Sequence, residues 1–499
     1  MEGLSAPTTD LAPGLARRLA ARVAEGRRAA LAVLSLALSV GLVLRLWLAL
    51  NDDGIFWPDE IYQGLEPAHR LVFGSGLVAW EFVVGVRSWA FPGFLAGLLK
   101  ACGLLGLTQP RAYLTVVRVF FCLVSVGAAA ATYRLARSFG ASALAAAVGA
   151  ATCLLAAPLI YFAPRAMNES ASALPIAFGL AFTLQHGARH RQVVLGAALF
   201  GLAVFLRLHA AIFCAGALAV LAVRRQWTSA LLALAVFAAA GVLFGLLDLL
   251  TWGSWFHSAI GYLRFNLFEG RSSMWGTAGP LYYVKVLLSS TGPLGLVLLA
   301  LSLAAVRRAP SLWALTAVFV VGHSLIPHKE IRFLLPAAPL VCALAGVGLQ
   351  EVGDRVPAWV ARSVAGLVLL AAGYSALTFH QLTLGQLGAP AVSQPKASAY
   401  DQAGPVNRLL LAAHDRPDLC GLKIEGADLS WSGGYTYLDR RVPLYQKDSP
   451  TVAPGKFNYV ISPLASGSDG EVVAVDGGQA LRRLPLAACL PDPGYPSGI

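Results

Sequence analysis

The sequence predicts an all-α polytopic membrane protein of about eleven transmembrane helices, followed by a small α/β-like soluble C-terminal domain. Three observations carry this expectation. Of 499 residues, 57% are hydrophobic and only 13% charged, and the mean hydropathy is +0.65, too apolar for a water-soluble enzyme of this length. Apolar stretches of span length recur along residues 30–380. From about residue 381 the composition turns to Pro, Gly, Asp and Ser, with short β-like runs at 457–462 and 471–475.

The N-terminal tail, residues 1–29, holds Arg17, Arg18, Arg22, Arg27 and Arg28. The apolar run behind it is longer than a signal-peptide core and has no small-residue cleavage site, so it reads as a retained first span entered from the cytoplasm. Further candidates lie at 89–107, 113–133, 141–160, 170–186, 192–208, 209–223, 228–250, 283–306, 311–327, 332–350 and 358–380. If all of them crossed, Arg134/Arg137, Arg189/Arg191, Arg224/Arg225 and Arg307/Arg308 would face outward, against the positive-inside rule. The weakest candidate is 89–107, which carries Pro92 and Lys100, and it reads as a re-entrant or surface-lying helix. With it demoted, every basic pair returns to the cytoplasm, while 51–110, 161–169, 251–282, 328–331 and everything after 381 fall outside.

The same pattern accounts for the formal charge of +12. The cations stand in pairs between apolar runs and do not form a nucleic-acid-tracking patch. Five of the seven cysteines fall in apolar segments and are assigned no chemistry. Cys420 and Cys489 lie in the polar C-terminal region and are expected to form a disulfide.

Four polar clusters converge on the outer face. The first loop, Trp57 to Trp89, gathers Asp59, Glu60, Gln63, Glu66, His69, Trp80, Glu81 and Arg87. One reading is a solvated interfacial helix. The other is a set of partly desolvated carboxylates whose raised proton affinity suits general-base work. The turn His328-Lys329-Glu330-Ile331-Arg332-Phe333 reads either as a structural ion pair or as a clamp for a phosphate at headgroup level. Arg165, Asn168 and Glu169 open the next span, as a helix cap or as part of a site. The loop after Asp248 brings His257, Arg264, Asn266, Glu269 and Arg271 among many aromatics, either an interfacial belt or a sugar-stacking surface. Arg207 and His209 join the candidates because charge at that depth requires partners.

Pro58-Asp59-Glu60, Gln63, Glu66, His69, Gly74-x-Gly76, Trp80-Glu81 and Arg87-Ser88, then Arg165-x-x-Asn168 and His328-Lys329-Glu330-x-Arg332-Phe333, together resemble glycosyltransferase family 22 over roughly residues 30–350. These are the polyprenyl- or dolichyl-phosphate-mannose-dependent mannosyltransferases of the C-type glycosyltransferase fold, similar to the glycosylphosphatidylinositol and N-glycan precursor enzymes. The resemblance implies an inverting transfer of mannose, or a related hexose, from a polyprenyl-phosphate-linked donor lipid to a glycan or glycolipid acceptor on the extracytoplasmic face, in a bacterial inner membrane or an endoplasmic-reticulum-like one. It places the base on Asp59, with Glu60 next in line. Arg165, Arg207, His328, Lys329 and Arg332 are expected to bind the donor phosphate. Gln63, Glu66, His69, Trp80, Glu81, Arg264 and Asn266 are expected to contact acceptor or sugar.

No Asp-x-Asp motif and no glycine-rich phosphate loop occurs, which disfavours a nucleotide-sugar donor. No cofactor is required; a divalent ion on Asp59 and Glu60 is compatible with their chemistry but not demanded by it. Two rivals stand beside this reading, a lipid-linked glycan translocase and an oligosaccharyltransferase-like enzyme. The near absence of charge inside the spans weighs against the first.

Overall fold

The computed structural model describes residues 13–389, 394–447, 455–467, 469–485 and 489–490, with side chains from residue 25 onward. The first twelve residues of the expected N-terminal tail lie outside the described residues.

The chain is mostly helical up to residue 381. Among the described residues five helices are long and apolar enough to cross a membrane: Glu25–Asn51, Pro110–Ser138, Trp227–Trp252, Ile331–Gly353 and Ala358–Leu377. Six shorter apolar helices accompany them, among them Ala90–Leu104. That last helix spans 15 residues, about 22 Å at 1.5 Å per residue, short of a hydrocarbon core of about 30 Å. Two expected spans are interrupted. The stretch 141–160 forms helices Ala143–Leu155 and Ala157–Tyr161, parted where Ala156 turns extended before Pro158. The stretch 283–306 breaks at Gly292, φ +60°, ahead of Pro293.

Small residues bring the helices together. Helix Ala143–Leu155 is buried from Ala145 to its end. A Cβ on Gly149 would meet the Cα of Gly346 at 3.1 Å, so two backbones touch there without side chains between them. Arg45, fully buried in the first span, donates to the carbonyls of Gly41 and Leu154 and to the Ser125 hydroxyl. A lone guanidinium inside the bundle is thereby satisfied as a helix tie.

The C-terminal region folds around a five-stranded sheet of order β2-β1-β3-β5-β4. Strands β1 (Leu422–Ile424), β2 (Leu444–Gln446) and β3 (Tyr459–Pro463) are parallel, whereas β4 (Glu471–Asp476) and β5 (Gln479–Arg483) form a hairpin that joins β3 antiparallel. Helix Gly404–His414 packs across β3, β4 and β5. Cys420 and Cys489 are joined, with Cα atoms 6.2 Å apart.

The core of this region is continuous with that of the first loop. Ile55, Tyr62, Ala68 and Leu77 of the first loop, Tyr113 and Val117 of helix Pro110–Ser138, and Leu410, Leu422 and Ile461 of the sheet region form one continuous buried cluster. The tail therefore packs as a wall of the first loop, and its apolar strand faces supply part of that loop's core.

Candidate functional site

The first loop starts the site. Pro58 opens a helical turn that runs into a π-helical turn, Ile61–Leu65. A wider helical turn of this kind rotates successive side chains away from the ordinary register and recurs at functional sites. Asp59 and Glu60 are turned to opposite sides. Asp59 faces a cavity of about 740 Å3, its side chain 24% exposed, whereas Glu60 points inward at 9%.

The cavity is a junction of distant segments. Asp59, Gln63, Trp80, Glu81, Arg207, Asn266, His328 and Arg332 line it, all expected from the sequence. Glu169, Glu330 and Arg87, noted there only as cluster members, line it as well. Tyr262 and Trp275 come from the loop after helix Trp227–Trp252, and Ser430 and Trp431 from the C-terminal region. Trp431 carried no sequence signal, because its role depends on a tertiary contact with Trp57, ring centroids 5.1 Å apart.

One ion network runs through the wall. Arg332 grips Glu330 through two hydrogen bonds, Nε to Oε2 at 2.7 Å and Nη2 to Oε1 at 2.9 Å, and donates from Nη2 to Asp59 Oδ2 at 2.5 Å. Its Nη1 stands 3.6 Å from Glu169 Oε1, which in turn pairs with Arg207 at 2.6 Å. Arg207 also donates to Asn168. His328 lies between Glu330 and the Gly276 carbonyl, 3.0 and 2.9 Å away.

Electrostatics follow from this packing. Burial alone pushes the Glu330 carboxyl up, but Arg332 and His328 outweigh it and hold the group well below the usual carboxylate range. Burial opposes charge on His328, yet the bond to Glu330 raises its pKa. Glu81 goes the other way: burial, then the neighbouring Asp59 charge, push its carboxyl up against the pull of Arg87. Gln63 donates to Glu81 at 2.8 Å and fixes it on the wall.

Arg87 differs from the other cations. Its guanidinium lies over the Tyr262 ring, 5.3 Å from the centroid, and no carboxylate stands within salt-bridge range among the described residues. The buried Nε atoms of Arg87 and Arg207 have no hydrogen-bond partner among the described residues. Two guanidiniums lining one apolar and aromatic wall supply the positive charge that can receive an anion.

The remaining expected site residues lie elsewhere, each for a visible reason. Glu60 pairs with Arg165 at 3.0 Å and accepts from the Phe56 amide, and Arg165 also pairs with Asp52 at 3.1 Å. These three form a sealed layer behind the cavity, so Asp59 and Glu60 do not converge on one ion. Lys329 turns its ammonium onto the carbonyls of Ala278 and Ile326. Arg264 is exposed and pairs with Glu269 at the surface. Glu66 is fully buried and accepts from the Leu77 amide and from the amide and hydroxyl of Thr436, at 2.5–2.6 Å. Gly434, φ +53°, permits that approach, since a Cβ there would meet the Glu66 carboxyl carbon at 2.8 Å. His69 bridges Ser75 and Asp439. Glu66 and His69 thus latch the C-terminal region to the first loop. Among the described residues no group of three or more His, Cys, Asp or Glu side chains is placed to hold a metal ion.

Known proteins resemble this chain in sequence and in fold. GPI mannosyltransferase 3 of Yarrowia lipolytica is 31% identical over 65% of this chain and 64% of its own length, so the match spans a little under two thirds of that relative. GPI alpha-1,2-mannosyltransferase 3 of Danio rerio is 27% identical over 72% of this chain and 68% of its own. ArnT from Cupriavidus metallidurans, crystallised with undecaprenyl phosphate, has the same fold with a TM-score of 0.60 at 16% identity, covering 92% of this chain and 99% of ArnT. The archaeal oligosaccharyltransferase AglB from Archaeoglobus fulgidus follows with a TM-score of 0.54 at 15% identity, over 87% of this chain and 69% of AglB. Residues 36–403 match the Alg9-like mannosyltransferase family, and the chain belongs to that family.

Proposed function

We propose that this chain transfers a mannosyl residue from a polyprenyl-phosphate-linked donor to a hydroxyl of a glycolipid glycan, inverting the anomeric centre. One observation carries the reading: a single cavity joins an open carboxylate oxygen, the two guanidiniums of Arg87 and Arg207 and an aromatic wall, in a chain of this family. Asp59 Oδ2 is held by Arg332, and Oδ1 has no partner among the described residues.

The acceptor hydroxyl gives its proton to Asp59 as its oxygen attacks the anomeric carbon from the face opposite the phosphate. The bond from that carbon to the phosphate oxygen breaks, and polyprenyl phosphate leaves. Arg207 and Arg87 take up the charge that builds on the departing phosphate, and Arg332 fixes the base. A β-linked donor gives an α-linked product, in keeping with the alpha-1,2 named for the Danio rerio relative. The reaction as written calls for no metal ion. We further infer eleven crossings with a cytoplasmic N-terminus, which puts this cavity on the extracytoplasmic side.

The test is transfer of labelled mannose from polyprenyl-phosphate-mannose into the glycolipids of membranes holding wild type or Asp59→Asn at matched expression. Transfer by wild type and its loss in the variant support both the reaction and the base. Transfer by both moves the base elsewhere, and transfer by neither overturns the donor.

A further inference from the structure

The family match ends at residue 403, yet the cavity wall does not. Residues 429–431 form a single 3-10 turn capped by Asp428, whose carboxylate accepts from the Ser430 amide at 2.8 Å and hydroxyl at 2.7 Å. The Tyr62 hydroxyl lies 2.5 Å from the Leu429 carbonyl and 3.0 Å from that of Ser432. Tyr62 precedes Gln63 in the π-helical turn that follows Asp59, so this turn is held in fixed register with the base. Asn407 reinforces the hold, donating to the Asp53 carbonyl and accepting from the Gly433 amide.

On this support stand two half-buried indoles, Trp57 and Trp431, with ring planes at 81°. Both line the cavity, and Ser430 lies beside them. Half-buried indoles present an apolar face together with an N–H donor, the combination that grips a sugar ring. The guanidiniums of Arg87 and Arg207 come from other segments and also border a smaller pocket walled by Val204, Phe205 and Phe244. A volume of about 740 Å3 is the size of sites that enclose whole ligands, more than one hexose ring requires.

We propose that Trp431, with Trp57 and Ser430, forms an acceptor subsite for the sugar next to the one that is mannosylated. This rests on the transfer reaction proposed above and adds the acceptor's direction of entry. The reacting sugar lies at Asp59 and the preceding sugar of the acceptor glycan lies against Trp431. The C-terminal region is then a specificity element, selecting acceptors of two sugars or more.

The test compares octyl α-mannoside with octyl α-mannobioside as acceptors for purified full-length protein and polyprenyl-phosphate-mannose, with transfer to glycolipid extract as the reference reaction. Wild type is expected to favour the disaccharide by about fivefold or more in kcat/KM, in line with one aromatic contact. Trp431→Ala brings that ratio close to one, and Trp431→Phe restores most of it. Wild type that serves the glycolipid extract but shows no disaccharide preference overturns the subsite and leaves the reaction standing. So does a Trp431→Ala variant that keeps the preference. Wild type that transfers to nothing overturns the reaction itself.

Discussion

Two charge networks lie back to back in this protein, built from the same residue types. The rear one joins Asp52, Asp53 and Glu60 to Arg118 and Arg165, with every side chain at most 13% exposed. The front one joins Asp59, Glu169 and Glu330 to Arg207, Arg332 and His328, and opens to the cavity through Asp59. The rear network turns away from the cavity: Asp52 accepts from Gly54 and Asp401 as well as from Arg165, and none of its five side chains lines the cavity. The side chains of the front network line the cavity, and an oxygen of Asp59 is left without a partner among the described residues. An opening onto the cavity, and not charge as such, separates a site from a strut.

That contrast is open to direct attack. The largest effect is expected at the front: Asp59→Asn lowers mannosyl transfer by about 10²–10⁴-fold, with thermal unfolding in detergent little changed. A variant that unfolds instead would make Asp59 a strut too. Next, Arg165→Met leaves Asp52 and Glu60 buried without their cation and costs about 3–5 kcal/mol of stability, read as a lowered Tm. Transfer per folded molecule stays within about threefold of wild type in that variant; a selective loss of transfer with Tm intact would move Arg165 to the donor. Third, Thr436→Val takes a hydroxyl donor from buried Glu66 and is expected to cost about 1.5–3 kcal/mol, lowering protection of residues 57–77 in hydrogen exchange. Unchanged protection would detach the latch from the first loop.

The smallest effect is one of pH. His328 has a raised folded pKa, so its contribution is complete below the ordinary histidine value of about 6.5 and is lost as pH rises through the folded value. Glu330 has a lowered one, so its contribution is present above the ordinary carboxylate value of about 4.3 and is lost as pH falls through the folded value. Tm should therefore hold steady between these limits and fall on the alkaline side. His328→Gln is expected to flatten the alkaline limb; an unaltered limb would assign it to another group.

Membrane character and the apolar helices were legible because composition and hydropathy report the solvent of each segment directly. The converging clusters were legible too, because a charge rule orders loops without reference to their chemistry. Direction within a cluster was not. Asp59 and Glu60 are adjacent, alike in charge and both just behind Pro58, and only the folded turn sends one forward and one back. Glu66 and His69 looked like ligands because burial partners 370 residues away leave no trace in local spacing. Trp431 was hidden for the same reason, as was the shared core, since three- to six-residue strands are too short to announce what they pack against.

The Glu66 latch has a consequence for how the molecule is made. Its partner, Thr436, is synthesised 370 residues later, after every apolar helix has been threaded. Until then the first loop lacks both its carboxylate's donors and the sheet side chains that complete its core. Contacts of such high sequence separation form late and slowly. The order of translation therefore keeps the cavity unfinished until the last region emerges, and completion of the site is timed by the chain's own C-terminal fold.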